Sequence, residues 1–114
     1  MIARFAREWL EGTRFSFAIR RLSDGEAVGF VELRRTGGEA DVAYMVTPEL
    51  RGQGLASRAL LTLIAWGRRE LGLQRFNLGC HVDNIASQRV ADKCGFVLVS
   101  RNGDDLRFRR DTTA

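Results

Sequence analysis

The chain has 114 residues and a mass of 12.8 kDa, the size of one domain with a buried core of its own. Hydrophobic residues make up 45% and charged residues 28%, the balance of an average water-soluble globular chain, and no apolar run reaches the roughly 18 residues of a membrane span. The formal charge of +4 suits a phosphate-rich ligand, but the basic residues are scattered and all are arginine except Lys93, which argues for codon bias and against a nucleic-acid surface.

In chain order, Ile2, Phe5, Trp9 and Leu10 are spaced as one face of a short helix over Met1–Glu11, with Gly12 as its stop. Residues 14–22 alternate through Phe15, Phe17 and Ile19 and predict a strand. The turn signal Ser23–Glu26 then leads into a second strand at 27–35, so the two should form an antiparallel hairpin. Thr36-Gly37-Gly38 turns the chain into a third strand, Glu39–Val46.

After a glycine-containing loop, Leu55, Ala59, Leu60, Leu63, Ile64 and Trp66 recur at helical spacing as far as Gly72. Residues 75–82 predict a strand, and 84–95 a helix that starts at Asp83 or Asn84 and closes on Gly95. Asn102-Gly103 is a tight turn between two last strands. A strand–helix–strand unit over 39–82 requires a right-handed crossover and a parallel pair. The fold class is therefore α+β: a mixed sheet, antiparallel at first and then parallel, with helices on both faces.

The loop at 47–57 carries the chemistry. Arg51, Gly52 and Gly54 precede a helix start, where unpaired amides and the helix dipole favour an anion. A nucleoside-triphosphate loop would need a lysine here, and none is near. A dinucleotide fingerprint has its first two glycines in Gly52 and Gly54 but lacks the third, as well as a direct strand junction and a second βαβ half.

Arg51-Gly52-Gln53-Gly54-Leu55-Ala56 resembles the [QR]-x-x-G-x-[GA] loop of the GNAT acetyltransferase superfamily. Residues 84–96, from Asn84 through Ser87, Val90 and Lys93 to Phe96, resemble the N-x-x-S-x-x-V-x-x-K-x-G-F segment of the branch containing the RimJ and RimL ribosomal-protein acetyltransferases. The strand and loop at 38–54 are similar to that branch as well. The resemblance implies a single GNAT-like domain over residues 1–114. Family members usually place a further strand and helix before the segment read here as the first helix, so the domain is expected to be N-terminally short. The strand edge and apolar surface this uncovers favour a homodimer.

The resemblance also assigns roles. Arg51, Gly52, Gln53, Gly54, Ala56 and Ser57 should cradle the pyrophosphate of acetyl-CoA, the expected co-substrate; no metal is expected. Met45 and Val46 should end a strand that splays from its parallel neighbour, so that the pantetheine arm pairs with the freed backbone and a freed amide holds the oxyanion. Asn84 either caps its helix or binds the pantetheine arm. Ser87 should donate a hydrogen bond to the leaving thiolate, or else is a solvent-facing serine in a first turn. Asp41, on the same strand face as Met45, is the first candidate for the base, an acid in a buried sheet being otherwise costly. His81, an imidazole at the end of the neighbouring strand and a residue type suited to general-base work, comes second, with Tyr44 and Glu39 behind them.

Cys80 and Cys94 lack metal-ligand spacing and are expected as free, mostly buried thiols; with no signal-peptide pattern, the chain is expected in the cytoplasm. The expected activity is acetyl transfer to a primary amine, of a protein N-terminus or a small molecule. The rival from another class is a non-catalytic CoA-binding module, or a truncated domain whose acceptor wall a partner completes. A basic nucleic-acid binder is the third reading, with no stacking platform or helix-turn-helix signal behind it.

Overall fold

The computed structural model describes residues 2–10, 14–52 and 54–112, the first of these stretches as backbone only. Seven strands and two helices follow one another as β1 (Ile2–Leu10), β2 (Arg14–Arg21), β3 (Ala27–Thr36), β4 (Glu39–Val46), α1 (Leu55–Leu71), β5 (Arg75–His81), α2 (Ile85–Lys93), β6 (Val97–Asn102) and β7 (Asp105–Asp111), with a single 3₁₀ turn at Pro48–Leu50. All strands join one sheet in the order β1-β2-β3-β4-β5-β7-β6. As the sequence pattern requires, β2, β3 and β4 form an antiparallel meander, β4 and β5 pair in parallel across α1, and β6 and β7 form the closing hairpin.

The first segment is a strand, not the expected helix over Met1–Glu11. The spacing of Ile2, Phe5 and Trp9 spans barely two helical turns, and an isolated helix that short is marginal. Pairing with β2 satisfies a whole row of backbone groups instead, in a register that sets Phe5 opposite Ile19 and Trp9 opposite Phe15. The proposed stop at Gly12 lies outside the described residues.

Alternation fixes which face of the sheet is buried. Phe15, Phe17 and Ile19 of β2, Val31 and Leu33 of β3, Val42 and Val46 of β4, Leu78 of β5 and Phe108 of β7 all point to one side. There they meet Leu55, Ala59, Leu60, Leu63 and Ile64 of α1 and Ala91 of α2. Trp66 closes one end, its ring 5.3 Å from that of Phe15 and 4.9 Å from that of Phe17. Phe76, wholly buried, sits between α1 and the sheet, with Gly67 close enough that a Cβ there would lie 3.2 Å from its ring.

Both helices pack on this same face, which corrects the expectation of helices on both. Each crossover is right-handed by default, and the sheet runs in one direction from β4 through β5 to β6, so both connections pass over the same side. On the other side, among the described residues, Phe30 and Met45 are exposed. No helix among the described residues is long and apolar enough to cross a membrane.

Candidate active site

The site begins where two parallel strands part. β4 and β5 pair only at Glu39↔Arg75, Ala40↔Phe76 and Asp41↔Asn77. Beyond Asp41, β4 stays in register with β3 as far as Gly29↔Val46, while β5 stays with β7 as far as His81↔Asp105. Each strand follows its other neighbour, so the facing backbone edges of residues 42–46 and 78–81 diverge. Edge groups without a strand partner are a template for an extended ligand. The gap opens into a cleft of about 690 Å³, walled by β4, β5, α2 and the start of α1. That volume is in the usual range for a small-molecule site.

At the mouth, the chain turns through Gly52 at φ 80° and Gly54 at φ 77°, a left-handed conformation that side chains with a Cβ resist. Gly54 is the N-cap of α1 and provides no side-chain hydrogen bond, so the first-turn amides of Leu55, Ala56 and Ser57 have no acceptor within the helix. The contrast with α2 is direct. There the Asn84 Oδ1 accepts a 3.0 Å hydrogen bond from the Ser87 backbone N–H, a conventional cap.

Cations gather round the bare helix start. Arg51 Nε donates to the Val46 carbonyl at 3.3 Å, which lays the guanidinium along the end of β4. Lys93 and Arg89, one turn apart on α2, line the cleft from the opposite wall. A Cβ on Gly54 would lie 3.7 Å from the Lys93 ammonium, so that charge stands over the positive end of α1. Helix dipole and side chains thus repel one another there, and an anion between them would relieve the repulsion.

Deeper in, the Tyr44 and Ser87 hydroxyl oxygens lie 2.9 Å apart and join β4 to α2 across the cleft. Burial pushes the Tyr44 phenol above its ordinary 10.0, against a smaller downward pull from the Ser87 hydrogen bond. Burial likewise raises the Cys80 thiol, against a smaller downward pull from the Ser87 hydroxyl. All three groups are therefore neutral and protonated near pH 7.

Of the residues expected from sequence, Val46, Arg51, Gly52, Gly54, Ala56, Ser57, Asn84 and Ser87 line this one cleft together. Gln53 lies outside the described residues. Met45 points to the uncovered face, opposite Phe30, so its side chain turns away from the cleft. Asp41 shares that face as expected, but the face is not buried: its side chain is 59% exposed and 3.6 Å from the Arg107 guanidinium. The cost argument for Asp41 fails because no helix among the described residues covers that side of β4.

His81 ends β5 at the hairpin. Its Nδ1 accepts a 3.1 Å hydrogen bond from the Asp83 backbone N–H, with the Asp83 and Asp104 carboxylates 3.6 and 3.7 Å from the ring. The sequence reading puts Tyr44 behind Asp41 and His81, gives Arg89 and Lys93 no role, and expects Cys80 only as a free thiol. Tyr44 was findable, because it is in phase with Val42 and Val46 on the inward side of β4.

Residues 1–97 match the family model described as the acetyltransferase (GNAT) domain. The chain belongs to the GNAT acetyltransferase family. Among curated relatives, this GNAT domain is 31% identical over 99 residues to the uncharacterized N-acetyltransferase YoaA of Bacillus subtilis, covering 84% of the chain and 56% of that protein. It is 33% identical over 78 residues to the ribosomal-protein-serine acetyltransferase of Escherichia coli, covering 66% of the chain and 44% of that protein. The chain therefore spans about half the length of the curated relatives it matches. Among solved structures, the spermidine N-acetyltransferase of Vibrio cholerae in complex with CoA and spermine superposes with a TM-score of 0.81 at 21% identity, over 90% of the chain and 68% of that structure. At that identity the likeness is one of fold.

Proposed function

We propose that this GNAT domain transfers the acetyl group of acetyl-CoA directly to a primary amine, in the cleft between the diverging strands. The observation that carries the reading is the cleft itself, an open strand edge leading inward from an uncapped, cation-flanked helix start. It suits a ligand with a pyrophosphate at one end and an extended amide arm behind it.

The pyrophosphate is held by the backbone of Gly52, Gln53, Gly54, Ala56 and Ser57 and by the charge of Arg51, with Lys93 and Arg89 adding to it from α2. The arm runs along β4, contacting the backbone of Met45 and Val46, and the Nδ2 of Asn84 serves it while Oδ1 keeps the cap. Ser87 stands beside the sulfur. In the reaction the amine nitrogen forms the new C–N bond, the C–S bond breaks with its electron pair going to sulfur, and the amine gives up one proton to water or a base. A freed β4 amide stabilises the oxyanion of the tetrahedral intermediate. Asp41 remains the leading base, because it stands at the fork where the strands part, on the face left open to an amine. His81, held by Asp83 at the hairpin, comes second.

The acceptor is a protein N-terminus or a small-molecule amine; the name of the E. coli relative carries a ribosomal-protein serine and that of the V. cholerae structure a polyamine. Two free thiols agree with a cytoplasmic protein. The exposed apolar residues Val97, Leu98 and Val99 of β6, the last strand of the sheet, support a homodimer. Turnover is tested by following CoA release from acetyl-CoA with a panel of free-N-terminus peptides and polyamines. Release that needs one class of amine supports the reading. Binding of acetyl-CoA without release for any amine would make the domain a CoA-binding module instead.

A further inference from the structure

Ser87 has two hydrogen-bonding neighbours inside the cleft and one task in the functional reading above, on which this inference rests. Its backbone N–H is fixed by Asn84 Oδ1 at 3.0 Å, so the residue is anchored at the first turn of α2. Its hydroxyl carries one proton and two lone pairs, and can point that proton at Tyr44, at the Cys80 sulfur, which is only a weak acceptor, at a backbone carbonyl of the preceding turn, or into the cleft. The 2.9 Å contact between the Tyr44 and Ser87 oxygens removes the first choice if the tyrosine is the donor.

The chemistry says that it is. A phenol is a far stronger acid than an aliphatic alcohol, and therefore the better donor of the two. Burial keeps the phenol protonated through the neutral range. We propose that Tyr44 is a positioning residue, which donates to Ser87 Oγ and so turns the serine proton into the cleft towards the sulfur that leaves. Ser87 then donates to a sulfur gaining negative charge without either hydroxyl losing its proton. Tyr44 itself touches neither the thioester nor the amine.

The sulfur of bound CoA reports this without an acceptor. Its thiol is titrated by thiolate absorbance as the difference between complexes with CoA and with desulfo-CoA, which cancels Cys80 on β5 and Cys94 beyond α2. The cations of the cleft, Arg51, Arg89 and Lys93, are common to all variants compared. In the unaltered protein the bound thiol should titrate about one pH unit below free CoA, the effect of one hydrogen bond to a charged acceptor. Ser87→Ala should abolish the shift and Tyr44→Phe most of it. The double variant should lose no more than Ser87→Ala, since both act through one proton.

An unshifted thiol in the unaltered protein would overturn the inference whatever the variants do. So would a Tyr44→Phe protein that binds CoA with the full shift. Failure of the folded chain to bind desulfo-CoA, seen by calorimetry, would overturn the functional reading and this inference with it. Binding with an unmoved thiol would overturn the inference alone.

Discussion

Gly29 is where a single methyl group should do the most damage to the near wall of the cleft. It pairs with Val46 at the end of the β3–β4 ladder, next to the register shift that makes Val28 bulge out of the β2–β3 pairing. A Cβ at Gly29 would collide with the Met45 carbonyl oxygen and lie 3.0 Å from Val46 Cα and 3.1 Å from Met45 C. All three atoms are backbone and have no rotamer to escape into. The end of β4 must shift, which strains both the ladder and the Thr47 N–H to Val28 carbonyl bond of 2.8 Å.

Overpacking of this kind costs about 1–3 kcal/mol, and each ladder bond lost adds about 1 kcal/mol. The smaller unfolded-state entropy of alanine returns less than about 1 kcal/mol. Gly29→Ala should therefore destabilise by about 2–3 kcal/mol and lower Tm by roughly 10 °C. Urea denaturation with an unchanged slope measures this, with Gly79→Ala as the control. A Cβ there would sit 3.8 Å from the Leu106 carbonyl oxygen, an ordinary contact. A Gly29→Ala protein within about 0.5 kcal/mol of the parent would refute the close approach.

Three other expectations follow from the same geometry. Asn84→Ala removes the α2 cap and should cost about 1 kcal/mol in denaturation. Lys93→Ala should weaken acetyl-CoA binding about fivefold in dilute buffer and much less in high salt, since its charge acts at the mouth of the cleft; an effect indifferent to salt would count against that role. Burial holds Tyr44, Cys80 and Cys94 above their ordinary values, so their contribution to stability is intact at neutral pH. Above the ordinary thiol value of 9.0 the unfolded chain loses its protons first, and stability should fall as pH rises towards the folded-state values. Denaturation at about pH 7.5 and about pH 10 should show that decline, and Cys94→Ala should flatten it.

Most of the sheet could be read from alternation because β2, β3 and β4 each bury one face only. α1 was legible for a different reason: its apolar stripe is long, and its end is marked by Gly72 at φ 66°. β1 was not legible, since a nine-residue amphipathic segment fits either period and a neighbouring strand decides between them. The side of the sheet a helix takes is also absent from local pattern; it follows from strand order, which only the assembled sheet supplies.

That second gap explains the uneven reading of the site. The glycine turns and the helix start are encoded locally, so the residues that line the mouth of the cleft there could be read from the sequence. Asp41 was placed on the correct face of β4, but that face is open, so the cost of burying a carboxylate could not be inferred. Tyr44 meets Ser87 across 43 positions of sequence, a contact that no local rule announces.

The decisive measurement is calorimetric titration of acetyl-CoA into the intact chain, beside an Arg51→Glu, Gly54→Glu double variant checked for folding. Micromolar binding that the variant loses is the expected result, and would tie the cofactor to the uncapped start of α1. A folded chain that takes up no acetyl-CoA, or a variant that binds it as tightly as the parent, would contradict the assignment of the cleft.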